Sequence, residues 1–296
     1  MGRRNANSQP AKQYLTVACN FIMAVFTQET VYDKLELPDI VYKYRCWDNA
    51  HPRHKTILTN QEVYFASPLT FEDPVDCKNL TRYDLLTDFE IYNRYLSESF
   101  KHNPSYTTGQ HKDFADHWFE ISPLRDKASV RQYMEEKFVE LCNRFGVLSL
   151  TEKNALPEMW VKYSGGHTGI CVGFDSKITF QFFGGGGKVD YYKVLPTIHP
   201  RPKHSFEEQM TIQVYSKEEK WEFEQEYRTQ KLFFVDNATD DDRTIKLPKR
   251  AIREVIFGAL MGDNEKQELN ELIANELPHV VIRQAVINAD NCVTVN

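Results

Sequence analysis

Short runs in which apolar and polar residues alternate predict the strands of this chain. The first, Ile40–Arg45, reads IVYKYR, so we expect Tyr42 and Tyr44 on one face of a strand and Lys43 and Arg45 on the other. Further strands are predicted at 62–66, 147–150, 169–174, 221–228, 253–258 and 280–286.

Apolar residues spaced three and four apart predict helices between these strands. The spacing continues over 82–145, where two helices are predicted to flank a polar loop at 103–110. Other helices are expected at 51–60, 204–215 and 265–276. The sequence therefore predicts an α+β domain over 39–296, with a central, mostly antiparallel sheet and a helical insertion at 82–145.

Residues 1–38 are predicted to form an N-terminal extension. Its apolar run at 14–26 follows Arg3 and Arg4 and resembles a short signal peptide, but Asn20 interrupts the run and no cleavage motif follows it. The run is too short to cross a bilayer. We expect an accessory helix that packs on the domain or on a partner protein, and no membrane.

The amino-acid composition argues against several classes of protein. The 296 residues include 13% aromatics, and the formal charge of −6 gives no general attraction for nucleic acid. A short basic cluster at 51–55 is interpreted as a solvated face. The six cysteines form no C-x-x-C pair, which argues against a zinc ribbon and a redox dithiol and favours reduced thiols in the cytoplasm.

The segment 147–174 combines two strands with an intervening Trp160, Tyr163 and His167 and three glycines. Glycine permits sharp turns and close approach to a ligand, which is typical of a binding site. A connection that places Trp160 in the core explains the same pattern.

The run 221–228 reads WEFEQEYR, and as a strand it would place Glu222, Glu224, Glu226 and Arg228 on one face. In a cleft, repulsion among these carboxylates would raise the pKa of at least one of them, which prepares a general base or a cation stabiliser. On an exposed face they would only be solvated. Arg228 is expected to hold Glu226, which leaves Glu224 as the chemical residue.

Two other segments are interpreted as turns. Asp73 and Asp76 flank Pro74 and Val75, and both carboxylates are expected to cap backbone N–H groups. The four glycines at 184–187 lack the G-K-[ST] sequence of a phosphate loop, so a hairpin turn is predicted.

Four motifs together resemble a bacterial family known as domain of unknown function 2971. They are YKYR at 42–45, F-x-D-P-x-D-C at 71–77, MW-x-x-Y-x-x-x-H-x-G at 159–169 and W-x-x-E-x-E-Y-R at 221–228. The resemblance covers 39–257, although the family usually has Asn where Glu72 stands and an aromatic where Val75 stands. It implies no established activity, but it implies an effector of mobile or phage-defence loci, acting in antiphage defence or as a toxin.

The order of the segments is also similar to that of ADP-ribosyltransferases, which gives the first functional hypothesis, an enzyme that uses NAD. Lys43 or Arg45 would contact the dinucleotide, Tyr64 or Ser67 would shape the nicotinamide pocket, and a later glutamate would stabilise the oxocarbenium-like ribose. The acceptor would be a protein or a nucleic acid. The expected catalytic residues are Glu224, Glu226 and His167. The expected ligand-binding residues are Lys43, Tyr44, Arg45, Tyr64, Ser67, Trp160, Tyr163 and Arg228.

Two alternatives stay open. In a metal-dependent nuclease, carboxylates would gather Mg²⁺ and His167 would carry a proton; these carboxylates are Asp73, Asp76, Glu224 and Glu226. In a sensing or interaction module without catalysis, the same polar residues would form a structural network. We expect one cleft to collect Tyr44, Trp160, His167, Glu224, Glu226 and Arg228.

Overall fold

The computed structural model describes residues 37–51 and 53–296, which divide into two compact units. The sheet unit comprises residues 37–66, Gly146–Val189 and Trp221–Asn296, and the helical unit comprises Ser67–Phe145 and Asp190–Lys220. The accessory helix predicted within 1–38 lies outside the described residues. The helical insertion predicted at 82–145 falls in the helical unit, which begins earlier and also includes a second segment. That the two units fold as one domain stays a prediction.

A mostly antiparallel sheet of eight strands forms the centre of the sheet unit, in the order β12-β11-β10-β4-β1-β3-β8-β5. These strands are β1 (Ile40–Arg45), β3 (Phe145–Thr151), β4 (Ile170–Asp175), β5 (Gly187–Lys188), β8 (Glu226–Leu232), β10 (Ile252–Phe257), β11 (Val281–Ile287) and β12 (Val293–Val295). A smaller sheet in this unit pairs β2 (Glu62–Tyr64) with β9 (Thr244–Lys246). The α+β class predicted from the sequence is confirmed.

Five α-helices accompany these sheets in the described part of the sheet unit. They are α1 (Arg53–Thr59), α5 (Pro157–Tyr163), α6 (Ser176–Phe183), α8 (Asp240–Arg243) and α9 (Asp263–Glu276).

Successive side chains of β1, β4 and β10 point to opposite faces of the sheet, and a separate core forms on each face. Val41, Val172 and Val255 belong to the larger core on one face, whereas Tyr42 and Cys171 belong to a smaller core on the other. The register of β1 against β4 pairs Tyr42 with Gly173 and Tyr44 with Cys171. Each residue of β1 therefore has a defined face and defined neighbours.

The helical unit is built mainly from α2 (Asp88–His102), α3 (Thr108–Glu120), α4 (Lys127–Asn143) and α7 (Phe206–Tyr215), with a short parallel pair of β6 (Asp190–Tyr192) and β7 (Ser216–Glu218). Capping boxes start three of these helices because each N-cap side chain accepts the backbone N–H three residues on. Their N-cap residues are Thr87, Thr107 and Ser205. Ile91, Leu124, Val130 and Met134 form a separate core.

Three sequence predictions are wrong in detail. The block at 82–145 contains three long helices rather than two, because Ser122 and Asp126 begin new helical segments. The glycine run at 184–187 is not a hairpin turn. Gly184 instead ends α6 in the left-handed conformation, with φ of 83°.

The third correction concerns 221–228, which is only partly a strand. Glu219–Glu224 is a 3₁₀ helix, and β8 begins only at Glu226, after Gln225 with φ of 43°. Glu222 and Glu224 therefore do not continue the face of Glu226.

In the part of the chain that the structure describes, no helix has the length and apolar character needed to cross a membrane.

Candidate functional site

The lysine and arginine of β1 line a cleft in the sheet unit. Its walls also include Arg53 from α1 and Tyr64 from β2. We call Lys43, Arg45, Arg53 and Tyr64 the basic cleft. The cleft encloses about 310 Å³ of empty space when open solvent is counted, but its enclosed part has room for about one water molecule. One carboxylate, Glu62, also lines it, so cations exceed anions three to one.

Lys43 is the most perturbed cation of the basic cleft. Its Nζ donates to the Ser149 carbonyl oxygen at 2.6 Å, and the side chain is half-buried. Burial lowers the pKa of Lys43 to about 7, with help from Arg45 and Arg228 and against the opposing field of Glu226 and Glu224. Near neutral pH this amine is therefore only partly protonated, and an anionic ligand would favour the charged form.

Arg45 is the second cation that β1 contributes to the basic cleft. Its guanidinium donates only to the carbonyl oxygen of Tyr44, at 3.3 Å. Burial, with repulsion from Arg53, lowers the pKa of Arg45 to about 10. Among the described residues, no carboxylate lies within ion-pair distance of Lys43 or Arg45. Two half-buried cations without a carboxylate partner form a ready site for an anion.

Arg53 and Tyr64 both contact the carboxylate of Asp240. The Arg53 guanidinium lies 3.8 Å from the centre of the Tyr64 ring and forms an ion pair of 3.1 Å with Asp240. The Tyr64 hydroxyl donates to the same carboxylate at 2.7 Å. Tyr64 thus has a fixed orientation in the cleft, as an aromatic wall would require.

The two glutamates predicted to be catalytic, Glu224 and Glu226, are buried, with 3% and 6% of their surface exposed. Glu226 accepts from Nε of the fully buried Arg228 at 2.5 Å, which is the pairing that the sequence predicts. Glu224 stands at the end of the 3₁₀ helix, where its carbonyl oxygen accepts from the Thr151 hydroxyl at 2.6 Å. Both carboxylates lie close enough to Lys43 to raise its pKa.

The opposite face of β1 is closed. The Tyr44 ring meets Trp160 edge-on with 5.1 Å between centroids, and its hydroxyl donates to the Lys153 carbonyl oxygen at 2.9 Å. The indole Nε1 of Trp160 donates to the Asn154 carbonyl oxygen at 3.0 Å, and none of the Trp160 surface is exposed. Burial raises the pKa of Tyr44 well above its ordinary range. We call Tyr42, Tyr44 and Trp160 the tyrosine face.

His167 lies beside the tyrosine face rather than at the basic cleft. Its ring is parallel to Trp160, with 6.2 Å between centroids, and its φ of 69° is left-handed. Burial lowers the pKa of His167, and among the described residues its Nδ1 has no hydrogen-bond partner. The backbone of its loop is tightly packed, because a side chain at Gly258 would overlap the His167 carbonyl oxygen. His167 is thus a confined histidine whose burial disfavours the protonated form.

The structure therefore distributes the predicted site residues over distinct places. Lys43, Arg45 and Tyr64 meet at the basic cleft, while Tyr44, Trp160 and His167 group together at the tyrosine face. The two groups contain residues of opposite faces of β1, because side chains alternate along a strand. Tyr44, Trp160 and His167 lie together on a closed face, and the convergence of all six predicted residues on one cleft stays a prediction.

The remaining predicted residues make local contacts. Ser67, at the start of the helical unit, donates its hydroxyl to the Cys142 carbonyl oxygen at 3.0 Å. Tyr163 ends α5 and contacts the Lys162 ammonium. In the helical unit, Asp73 accepts from the Val75 backbone at 2.9 Å, as predicted for a turn.

Sequence reasoning missed Arg53 and three donor side chains that lie close together. The interpretation of 51–55 as a solvated face is incomplete, because Arg53 lines the basic cleft. Cys46, Asp48 and His54 also have ligand atoms within 4.8 Å of one another. Their spacing, C-x-D-x₅-H directly after a strand, was the available signal.

Comparison of the chain with protein-family models, curated proteins and solved structures gives no significant match.

Proposed function

We propose that the sheet unit binds the phosphates of a dinucleotide at the basic cleft and that the protein cleaves NAD or transfers its ADP-ribose. The observation that carries the proposal is the pair of cations on one face of β1. Lys43 and Arg45 are half-buried and, among the described residues, have no carboxylate partner. Proteins rarely retain buried charges without partners unless a ligand supplies the counter-charge.

The pyrophosphate of NAD fits this pair chemically. A guanidinium and an ammonium side by side can each donate to phosphate oxygens, and both hydrogen bonds would be charge-assisted. Tyr64, oriented by Asp240, would provide an aromatic surface for a ring of the ligand. The narrowness of the cleft implies that ligand binding displaces side chains at its rim, and Arg53 lies at this rim in a partly exposed ion pair with Asp240.

Glu224 supplies the chemistry in this proposal. When the bond between nicotinamide and ribose breaks, nicotinamide leaves with the bonding electron pair and positive charge develops on the ribose. A buried carboxylate beside that ribose stabilises the charge, and water or an acceptor hydroxyl then attacks the ribose carbon and loses its proton. We assign this role to Glu224 because it is buried and lies close enough to Lys43 to influence the pKa of that amine.

The experiment is an incubation of the purified full chain with NAD, followed by chromatographic measurement of released nicotinamide. Thermal shift runs alongside with NAD, with ADP-ribose, and with Mg²⁺ plus RNA, because a ligand that binds only the folded state raises the melting temperature. The proposal expects nicotinamide release and stabilisation by NAD and ADP-ribose. Stabilisation by Mg²⁺ plus RNA alone would favour a nuclease, and no response to any ligand would favour an interaction module.

A further inference from the structure

Three metal-binding side chains meet at the end of β1. Cys46 follows the strand directly, Asp48 lies in the next turn, and His54 belongs to the first turn of α1. One ligand atom from each of the three lies within 4.8 Å of the others. We call Cys46, Asp48 and His54 the CDH cluster.

The scaffold holds the donors of the CDH cluster in place. Arg45, the residue before Cys46, is paired with Ile170 in the register of β1 and β4. A side chain at Gly169 would overlap the Arg45 carbonyl oxygen, so the two backbone segments are closely packed there. The Cys46 Sγ lies 3.8 Å from the Tyr163 carbonyl oxygen. The thiol thus lies directly after a strand, and sites supported by regular elements are more precise than sites on loops.

The other two donors already face each other. His54 Nδ1 lies 2.5 Å from Asp48 Oδ1, and the same carboxylate oxygen accepts from the Ala50 backbone at 2.9 Å. Asp48 and His54 are each partly exposed to solvent, with 50% and 26% of the side chain accessible. A metal ion can therefore reach them from outside, and a water molecule can complete its coordination.

Neighbouring cations would oppose a divalent ion, but two of them have carboxylate partners of their own. Lys55 Nζ lies 2.8 Å from Glu268, and Arg53 lies 3.1 Å from Asp240. His51, the nearest other imidazole, has its Nδ1 occupied by the Arg53 backbone N–H at 3.1 Å. The CDH cluster therefore offers three potential ligand atoms.

We propose that the CDH cluster binds one zinc-type divalent transition-metal ion through the Cys46 thiolate, an Asp48 carboxylate oxygen and a His54 ring nitrogen. Sulfur, nitrogen and oxygen together form a zinc ligand set, whereas Mg²⁺ takes oxygen ligands and keeps its water. Binding would deprotonate the thiol, release that proton to solvent and draw the donors to about 2.0–2.3 Å from the metal. The proposal does not depend on NAD chemistry, because it concerns donors outside the basic cleft.

The test is a titration of chelator-treated full-length protein with Co²⁺ and then Zn²⁺, followed by absorption spectroscopy and calorimetry. We expect one equivalent of Co²⁺ to give a near-ultraviolet thiolate charge-transfer band and the visible bands of a four-coordinate site, both abolished by Zn²⁺. Cys46→Ser should remove the charge-transfer band. Asp48→Asn and His54→Gln should each weaken Zn²⁺ binding at least about tenfold.

The chain offers a matched control in Cys292, an exposed cysteine whose backbone N–H donates to Asp290. Cys292→Ser should leave the spectrum and the affinity unchanged. Should Cys46→Ser fail to fold, the Asp48→Asn and His54→Gln variants and the wild-type spectrum still decide the question. Absence of the charge-transfer band in wild-type protein, or equal Zn²⁺ affinity in wild type, Asp48→Asn and His54→Gln, would overturn the proposal.

Discussion

The two faces of β1 both carry large polar side chains, but the two faces differ in whether a carboxylate joins the hydrogen bonds. On the tyrosine face, the Tyr42 hydroxyl donates to Glu254 at 2.9 Å, and Arg283 donates to the same carboxylate at 2.8 Å. On the other face, Lys43 and Arg45 donate only to backbone carbonyls. One strand thus supports a network in which charge is balanced internally and a cleft in which it is not.

The difference separates a structural role from a binding role. A buried polar network with every member satisfied stabilises one packing arrangement, whereas half-buried cations without carboxylates lower stability unless a ligand joins them. We therefore expect changes on the tyrosine face to affect unfolding and changes in the basic cleft to affect ligand binding. The predictions below test this separation.

The largest effect is expected from Trp160→Ala on the tyrosine face. Removing a fully buried indole loses its packing on Tyr44 and leaves a cavity, which should lower the free energy of unfolding by about 3–5 kcal/mol. Urea unfolding measures this. Val161→Ala, at an exposed neighbour in the same helix, should change it by less than about 0.5 kcal/mol. A small effect of Trp160→Ala would mean that this face is open.

The second prediction concerns Glu224→Gln, which keeps the shape of the side chain and removes its charge. If Glu224 stabilises the developing ribose cation, nicotinamide release should fall at least about 100-fold with a nearly unchanged melting temperature. Glu222→Gln, at an exposed position of the same 3₁₀ helix, is the matched control and should retain activity. A lowered melting temperature with normal activity would assign Glu224 to the structure instead.

A third, smaller effect is expected from Gly173→Ala. Gly173 stands opposite Tyr42 in the register of β1 and β4, and an added Cβ would lie 2.7 Å from the Glu254 side chain and 3.0 Å from the Tyr42 ring. Overpacking of the closed face should cost about 1–3 kcal/mol in urea unfolding. Gly109→Ala makes a useful contrast, since its nearest neighbour would be 3.9 Å away in a helix and it should stabilise slightly.

The fourth prediction is a pH dependence caused by Lys43. Its folded-state pKa of about 7 lies below the ordinary value of 10.5, so the folded protein binds fewer protons than the unfolded chain between these values. The stability of the wild type relative to Lys43→Met should therefore be lowest below pH 7 and should recover as pH rises above it. Urea unfolding of both proteins at pH 6 and pH 9 measures this. An identical difference at both pH values would show that Lys43 has an ordinary pKa.

Much of this contrast was predictable from the sequence. Strict alternation in IVYKYR places the tyrosines and the cations of β1 on opposite faces because a strand has a side-chain period of two. The strands at 147–150, 169–174 and 253–258 were predicted from a second signal, because each has a dense apolar run. The local order of apolar and polar residues is enough to predict a strand where the side chains pack as that order indicates.

The site itself was harder to predict. Alternation continues through 221–228, but Gln225 adopts a left-handed φ and Glu219–Glu224 forms a 3₁₀ helix, so Glu222 is exposed while Glu224 is buried. No local rule anticipates a left-handed glutamine, whose backbone is held by its N–H bond to Glu222. The contribution of Arg53 depends on its contact with Tyr64 from another strand, which is a tertiary feature.

The central claim is that the basic cleft binds phosphate through Lys43 and Arg45, and titration calorimetry with ADP-ribose at pH 6.5 tests it most directly. We expect Lys43→Met and Arg45→Met each to weaken binding at least about tenfold, because each removes a charged hydrogen-bond donor. Lys43→Arg and the exposed control Lys246→Met should retain most of the affinity, and adenosine, without phosphate, should bind far more weakly. Equal ADP-ribose affinity in the wild type, Lys43→Met and Arg45→Met would contradict the account.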